Sequence, residues 1–195
     1  MIQLDLVTAP HVTALRMPAE PIIRSAEIDG DCRWTLRRAW GAGPPILWCG
    51  LNPSTADGVK DDPTMLREIG FSYRWGFGSL IKVNAFPFRS PDQAELRKWL
   101  KTEGSWEHRV ENVARIRAIL PGIDTWVAAW GNGLDLEQTD DFISSIHWDG
   151  KIPFNWKCLG TTGNGSPKHT LARGVHRIPD TSTLLPWHYE APNEH

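Results

Sequence analysis

Four polar points follow four short apolar runs in this chain. Asn52 follows Ile46 to Leu51, and Asn84 closes Ser79 to Val83. Gly131-Asn132 follows Thr125 to Trp130, and a loop from Thr161 to His169 follows Asn155 to Gly160. Two amides, one imidazole and small residues can place donors, acceptors and a water. They cannot make the paired carboxylates of acid–base hydrolysis. Asp57, five residues beyond Asn52, is the candidate base among the nearby carboxylates. Other chemistries lack their patterns. There is no Walker loop, no G-x-G-x-x-G and no G-x-S-x-G elbow. Asp61-Asp62 and Asp140-Asp141 are adjacent residues that point apart, and no His/Asp/Glu set has metal spacing. No metal and no cofactor is expected.

The elements that must hold these points alternate along the chain. Ile22 to Ile28 and Cys32 to Trp40 read as a hairpin about Asp29-Gly30-Asp31. The four apolar runs read as strands buried on both faces. Helices are predicted from Asp62-Pro63 to Trp75, from Asp92 to Lys101, from Trp106 to Leu120 and from Leu134 to Ile146. Asp62 reads as the N-cap of the first and Pro63 as its first residue. Ser105 is the predicted cap of the third, whose apolar stripe reads Trp106, Val110, Val113 and Ala114. Strands alternating with helices predict an α/β fold with a mainly parallel sheet and helices on both faces. Ligands in such sheets bind beyond the carboxyl ends of the strands, where these polar points fall. One domain over 1–195 is expected, with an irregular lead-in over 1–21, the hairpin over 22–40 and the core over 46–173.

Composition narrows the class. A chain of 195 residues with 41% apolar and 23% charged residues is long enough for a core and too apolar for disorder. The formal charge of −2 excludes a general nucleic-acid coat but leaves room for a local basic rim. The 11 Trp against 2 Tyr are mainly packing residues. Three Cys without C-x-x-C spacing read as reduced thiols, and three cannot hold a four-Cys cluster. No run approaches the ~20 apolar residues of a spanning helix, and no secretory layout is present. A cytoplasmic protein is expected, without a membrane and without an evident obligate protein partner.

The text of the strand ends resembles the uracil-DNA glycosylase superfamily, over roughly Ile46 to Arg173. Gly50-Leu51-Asn52-Pro53-Ser54 is similar to the first motif of its mismatch-specific thymine/uracil branch. Val83-Asn84-Ala85 is similar to the segment that reads the pyrimidine edge, and Ala129-Trp130-Gly131 to the end of the third core strand. Ser166-Pro167-Lys168-His169-Thr170-Leu171 stands where that superfamily has His-Pro-Ser-Pro-Leu-Ser; here the Ser-Pro precedes the His and no Pro follows it. The whole chain is also similar to a bacterial family of unassigned function with the pattern Leu-Asn-Pro-Ser-Thr-Ala-Asp.

The superfamily resemblance implies a three-layer α/β/α sandwich with a central four-stranded, mainly parallel sheet, to which the hairpin is added. It implies that Asn52 orients the attacking water and Asn84, Trp130 and Gly131 hold the base. It implies that His169 donates to the departing base and Leu171 wedges into the duplex. Ser54 stands where the uracil-specific branch has a Tyr that blocks substituents at C5, so a pocket for 5-substituted pyrimidines is expected. Arg89, Lys168 and Arg173 are candidate phosphate contacts. Lys82, His176 and Arg177 also flank strand ends. Each residue has a plainer reading: Asn52 and Asp57 as turn formers, Asn84 as a loop cap, His169 as a surface imidazole, the cations as solvated charges.

These readings lead to a monofunctional DNA glycosylase acting by water attack on a modified or mismatched pyrimidine flipped out of DNA. A role in defence against phage with modified bases is compatible with it. Lys82 and Lys168 raise a lyase using an amine, but no motif places either. The alternatives are an N-glycosidase of free modified nucleosides or nucleotides, and a non-catalytic nucleic-acid or nucleotide-binding module.

Overall fold

Two interleaved sets of apolar side chains decide the architecture. In the computed structural model, which describes residues 15–189, strand β3 (Pro45–Gly50) turns Ile46 and Trp48 to one face and Leu47 and Cys49 to the other. All four are fully buried. A strand buried on both faces belongs in the middle of a sheet. Around it lie β1 (Ile23–Asp29), β2 (Cys32–Ala39), β4 (Ser79–Asn84), β5 (Trp126–Ala128), β6 (Trp156–Cys158) and β7 (Leu185–Pro186). The order across the sheet is β1-β2-β4-β3-β5-β6-β7.

This corrects the expected four-stranded, mainly parallel sheet: among the described residues the sheet has seven strands and is mixed. Among the described residues, parallel pairing is confined to β4–β3, β3–β5 and β5–β6. The hairpin β1–β2 joins antiparallel through β2, with Leu36 opposite Lys82 and Ala39 opposite Ser79. At the other edge β7 adds antiparallel to β6. The physical reason is edge satisfaction. The free edge of β4 presents buried N–H and C=O groups that need partners, and the hairpin supplies them.

Helix α1 (Pro63–Arg74) packs Met65, Ile69 and Phe71 on the face carrying Ile46, Trp48 and Leu80. Trp48 fixes that contact twice. Its ring stacks on Trp75 at 5.9 Å, and its Nε1 donates to the Ser72 hydroxyl at 3.0 Å. On the opposite face, α3 (Ser105–Ile119) and α4 (Leu136–His147) cover Leu47, Ile81, Val83 and Trp126. The short α2 (Gln93–Trp99) adds Leu96 to the same core. The chain leaves β3 toward one face and β5 toward the other, which opens a crevice at the carboxyl ends of these two neighbours.

Helix starts follow local chemistry. Asp62 accepts the Met65 N–H at 2.8 Å, with Pro63 in the first turn. Asp135 caps α4 in a reciprocal box with Gln138. Asp135→Ala is expected to cost about 1 kcal/mol in urea unfolding, because the Gln138 N–H loses its side-chain acceptor. The start of α3 differs from expectation. Gly104 is its cap position, and the Ser105 hydroxyl donates to Leu100 and Thr102 carbonyls instead. Its stripe also differs: Trp106 and Val110 are exposed, and Asn112 and Ile116 are buried. Asn112 belongs inside because its Nδ2 donates to the Asn84 and Ala85 carbonyls and so anchors the end of β4.

Of the lead-in expected over 1–21, residues 1–14 lie outside the described residues, as do 190–195. Residues 15–20 carry no helix or strand, and Leu15 packs over Gly70 of α1. No described helix is long and apolar enough to cross a membrane.

Candidate active site

A cavity of about 460 Å³ opens at the carboxyl ends of β3, β4 and β5, within the range of small-molecule sites. It brings together Asn52, Ser54, Asn84, Trp130, Gly131 and His169, six residues expected from the sequence. It does not include Asp57, Arg89, Lys168, Leu171 or Arg173.

The wall after β3 is held by Asn52. Its Nδ2 donates to the Ser90 carbonyl at 2.8 Å and approaches the Pro53 and Phe88 carbonyls at 3.2 Å. These contacts tie the loop after β3 to the loop after β4. Among the described residues its Oδ1 accepts no hydrogen bond, which leaves that oxygen to bind a water or a ligand. Ser54, half-buried on the same loop, keeps the wall small.

The opposite wall is His169, in the segment after β6. Gly131 permits its approach: φ is +66°, and a Cβ there would lie 3.2 Å from the His169 Cβ. Burial pushes the imidazole down to about 4, and the Lys82 ammonium acts in the same direction. His169 is therefore neutral at pH 7. Its Nδ1 accepts the Leu171 N–H at 3.1 Å, so the ring proton sits on Nε2. The chain beyond it is fixed to α1, where Arg67 donates to the Thr170 carbonyl and pairs with Asp180 at 2.9 Å.

The depressed His169 value has a consequence for stability. The unfolded imidazole takes a proton near 6.5 and the folded one only near 4. Between those values the unfolded state binds more protons, so stability falls as pH drops from 6.5 toward 4 and levels off below. An NMR titration of His169 with its midpoint near 4 is the expected result; a midpoint near 6.5 contradicts this placement.

The floor was not anticipated as a site. Lys82, which the sequence places only as a cation flanking a strand end, has a buried side chain, and its Nζ lies 2.6 Å from Glu68 Oε1 of α1. The Thr170 hydroxyl donates to the same carboxylate oxygen at 3.1 Å. Burial raises the Glu68 carboxyl, and the nearby ammonium opposes that shift. A Lys between Ile81 and Val83 in a buried strand, and a Glu on the apolar face of α1, were the available signals. Asp62 also lines the cavity, with only one of its carboxylate oxygens engaged in capping. Arg33 lines it from β2. Its Nη1 donates to the Ala56 carbonyl at 2.7 Å, and burial brings its guanidinium down to about 10.

Trp130 lines the cavity, but its ring belongs to the core. It meets Phe142, Trp156 and Trp187 edge-on at 5.9, 5.9 and 5.1 Å. Among the described residues its buried Nε1 has no hydrogen-bond partner, and neither has the Asn84 Nδ2.

The remaining expected residues have other surroundings. The Asp57 carboxylate accepts the Val59 and Lys60 N–H groups at 2.7 Å each, which holds it below the usual carboxylate range and closes a turn. Arg89 is half-buried against the hairpin, where its N–H donates to the Asp31 carbonyl. Lys168 lies along Gly160. Leu171 is half-buried, whereas Arg173, His176 and Arg177 are exposed around Val175, itself 93% exposed. Among the described residues no group of three or more His, Cys, Asp or Glu side chains could hold a metal ion.

No curated protein and no solved structure significantly matches the chain. A family model does, over residues 33–171. That span includes every cavity residue described above, and the chain belongs to the family described as "Protein of unknown function (DUF1643)".

Proposed function

We propose that the protein is a monofunctional DNA glycosylase that hydrolyses the N-glycosidic bond of a modified or mismatched, 5-substituted pyrimidine. One observation carries the reading: Asn52, with a free amide oxygen, and His169, with a proton on Nε2, share one cavity at the strand ends. Cleaving the bond sends its electron pair to the base nitrogen and leaves a cationic sugar. Water held by the Asn52 Oδ1 bonds to C1′. Its proton goes to a carboxylate, and Asp62 is the carboxylate on the cavity wall, in place of Asp57. His169 Nε2–H donates to the departing base. A donor so placed lowers the barrier by roughly 3–4 kcal/mol. Ser54 leaves room for a substituent at C5.

DNA is the proposed partner. The loop beyond His169 carries exposed Arg173, His176 and Arg177 for phosphates. Val175, rather than the half-buried Leu171, is its exposed apolar side chain and the one suited to fill the gap left by a flipped base. The three free cysteines are all buried, which supports a reducing, cytoplasmic setting.

A panel of oligonucleotides with different 5-substituted pyrimidines, paired or mispaired, tests the reading when followed by alkaline cleavage at abasic sites. Strand scission at one or more modified positions is expected. No scission across the panel, with binding intact, overturns the enzyme; cleavage only of the corresponding free nucleosides overturns the DNA substrate.

A further inference from the structure

We infer that Lys82 is a further catalytic residue, the cation that takes up the negative charge of the departing base at the far end of the cavity. The inference rests on the proposed reading of the cavity as a pyrimidine site.

Sheet geometry sets the depth of the residues. Gly50 and Asn84 are register partners at the ends of β3 and β4, and Lys82 lies two residues earlier on the same face of β4. It is therefore deeper than Asn84, farther from the mouth where the sugar must stay. Gly50 makes it reachable. The glycine has no positive φ, so its backbone conformation does not demand glycine. A Cβ there would lie 3.0 Å from the Lys82 Nζ and 2.8 Å from the Asn84 Oδ1. The missing side chain leaves a slot over an ammonium and an amide oxygen.

The chemistry of the slot follows. An ammonium only donates, and one of its protons goes to Glu68. The ligand atom facing it must be an acceptor. Position 4 of a pyrimidine ring lies opposite the glycosidic nitrogen and so reaches deepest. A carbonyl oxygen there accepts from Lys82, and the adjacent ring N–H donates to the Asn84 Oδ1. When the glycosidic pair moves onto the base, resonance places part of the charge on that oxygen. Lys82 meets the charge and keeps its protons. Water oxygen bonds to C1′, its proton passes to Asp62, and the base leaves as an anion that solvent protonates after release. His169 and Lys82 thus act at two different positions of one leaving group. The ion pair with Glu68 also explains why Lys82 serves as a cation and not as an amine nucleophile.

Single-turnover excision by the full chain tests this with two oligonucleotide substrates, one carrying 5-fluorouracil and one thymine, each opposite guanine. Binding is read separately by anisotropy with 2′-fluorothymidine, which resists hydrolysis. The paired variant Lys82→Met/Glu68→Gln avoids stranding a buried charge, and Gly50→Ala closes the slot with both charges kept. Both variants are expected to lose roughly 10²- to 10³-fold in rate on thymine. The paired variant changes binding by less than about 10-fold, since the interaction belongs chiefly to the transition state. Its rate loss on 5-fluorouracil, the better leaving group, is smaller than on thymine. Equal rates in wild type and the paired variant overturn the role of Lys82 alone, as does an equal loss in rate and binding or an equal loss on both bases. Excision of neither base by wild type, nor of any other 5-substituted pyrimidine that it binds, overturns the glycosylase reading and this role with it.

Discussion

Replacing Glu68 with Ala is expected to destabilise the protein by about 3–5 kcal/mol, because it strands the Lys82 ammonium in a buried site. Glu68 is fully buried and Lys82 is 5% exposed, so water cannot replace the lost partner. The Thr170 hydroxyl loses its acceptor in the same change. Lys82→Met with Glu68 retained is destabilising for the mirror reason. Changing both to apolar residues, Glu68→Leu with Lys82→Met, recovers most of the loss, since no unpaired charge remains. Urea unfolding of wild type, Glu68→Leu, Lys82→Met and the double variant gives the coupling directly. A loss below about 1 kcal/mol for Glu68→Ala alone would show that the pair is not buried.

The second large effect concerns His169. His169→Ala is expected to slow base release roughly 10²- to 10³-fold with little change in DNA affinity, because the lost donor acts on charge that develops only in the transition state. The pH dependence separates the two ways in which a His can donate. A ring held neutral down to about pH 4 works as an Nε2–H donor across the physiological range. Activity therefore shows no acid limb near 6.5 from this residue. A limb at 6.5 that disappears in His169→Ala would mean that the ring is solvated and titrates like a surface imidazole. A rate unaffected by His169→Ala would remove it from the site.

The legibility of the chain divides along local and non-local interactions. Asp62-Pro63 marked the start of α1, and the capping bond is present at 2.8 Å. The runs around Trp48, Ile81 and Val127 were readable as strands because continuous burial leaves no polar alternation. Partner choice was not readable. The hairpin announces itself through Asp29-Gly30-Asp31, but nothing in its residues says that β2 pairs with β4. With two residues, β7 is too short to carry any periodicity. The same boundary runs through the site. Asn52, Asn84 and Gly131 lie at strand ends, and His169 in the loop beyond β6, all of which sequence order could place. Lys82 and Glu68 are 14 positions apart, and a charge in an apolar segment reads as an error of register until its partner is seen. Asp57 misled in the opposite way: its two short-range backbone bonds are local turn chemistry.

The most direct test of the central claim is the fate of the glycosidic carbon in isotopic water. A 5-substituted pyrimidine in DNA is incubated with the protein in H₂¹⁸O, and both products are weighed by mass spectrometry. Free base and abasic sugar are expected in equal amounts, with the heavy oxygen on C1′ of the sugar and none in the base. Base release that leaves the sugar bonded to the protein, as an adduct trapped by borohydride, would replace water by a protein nucleophile. DNA bound by the protein, with no base released from any 5-substituted pyrimidine, would contradict the account outright.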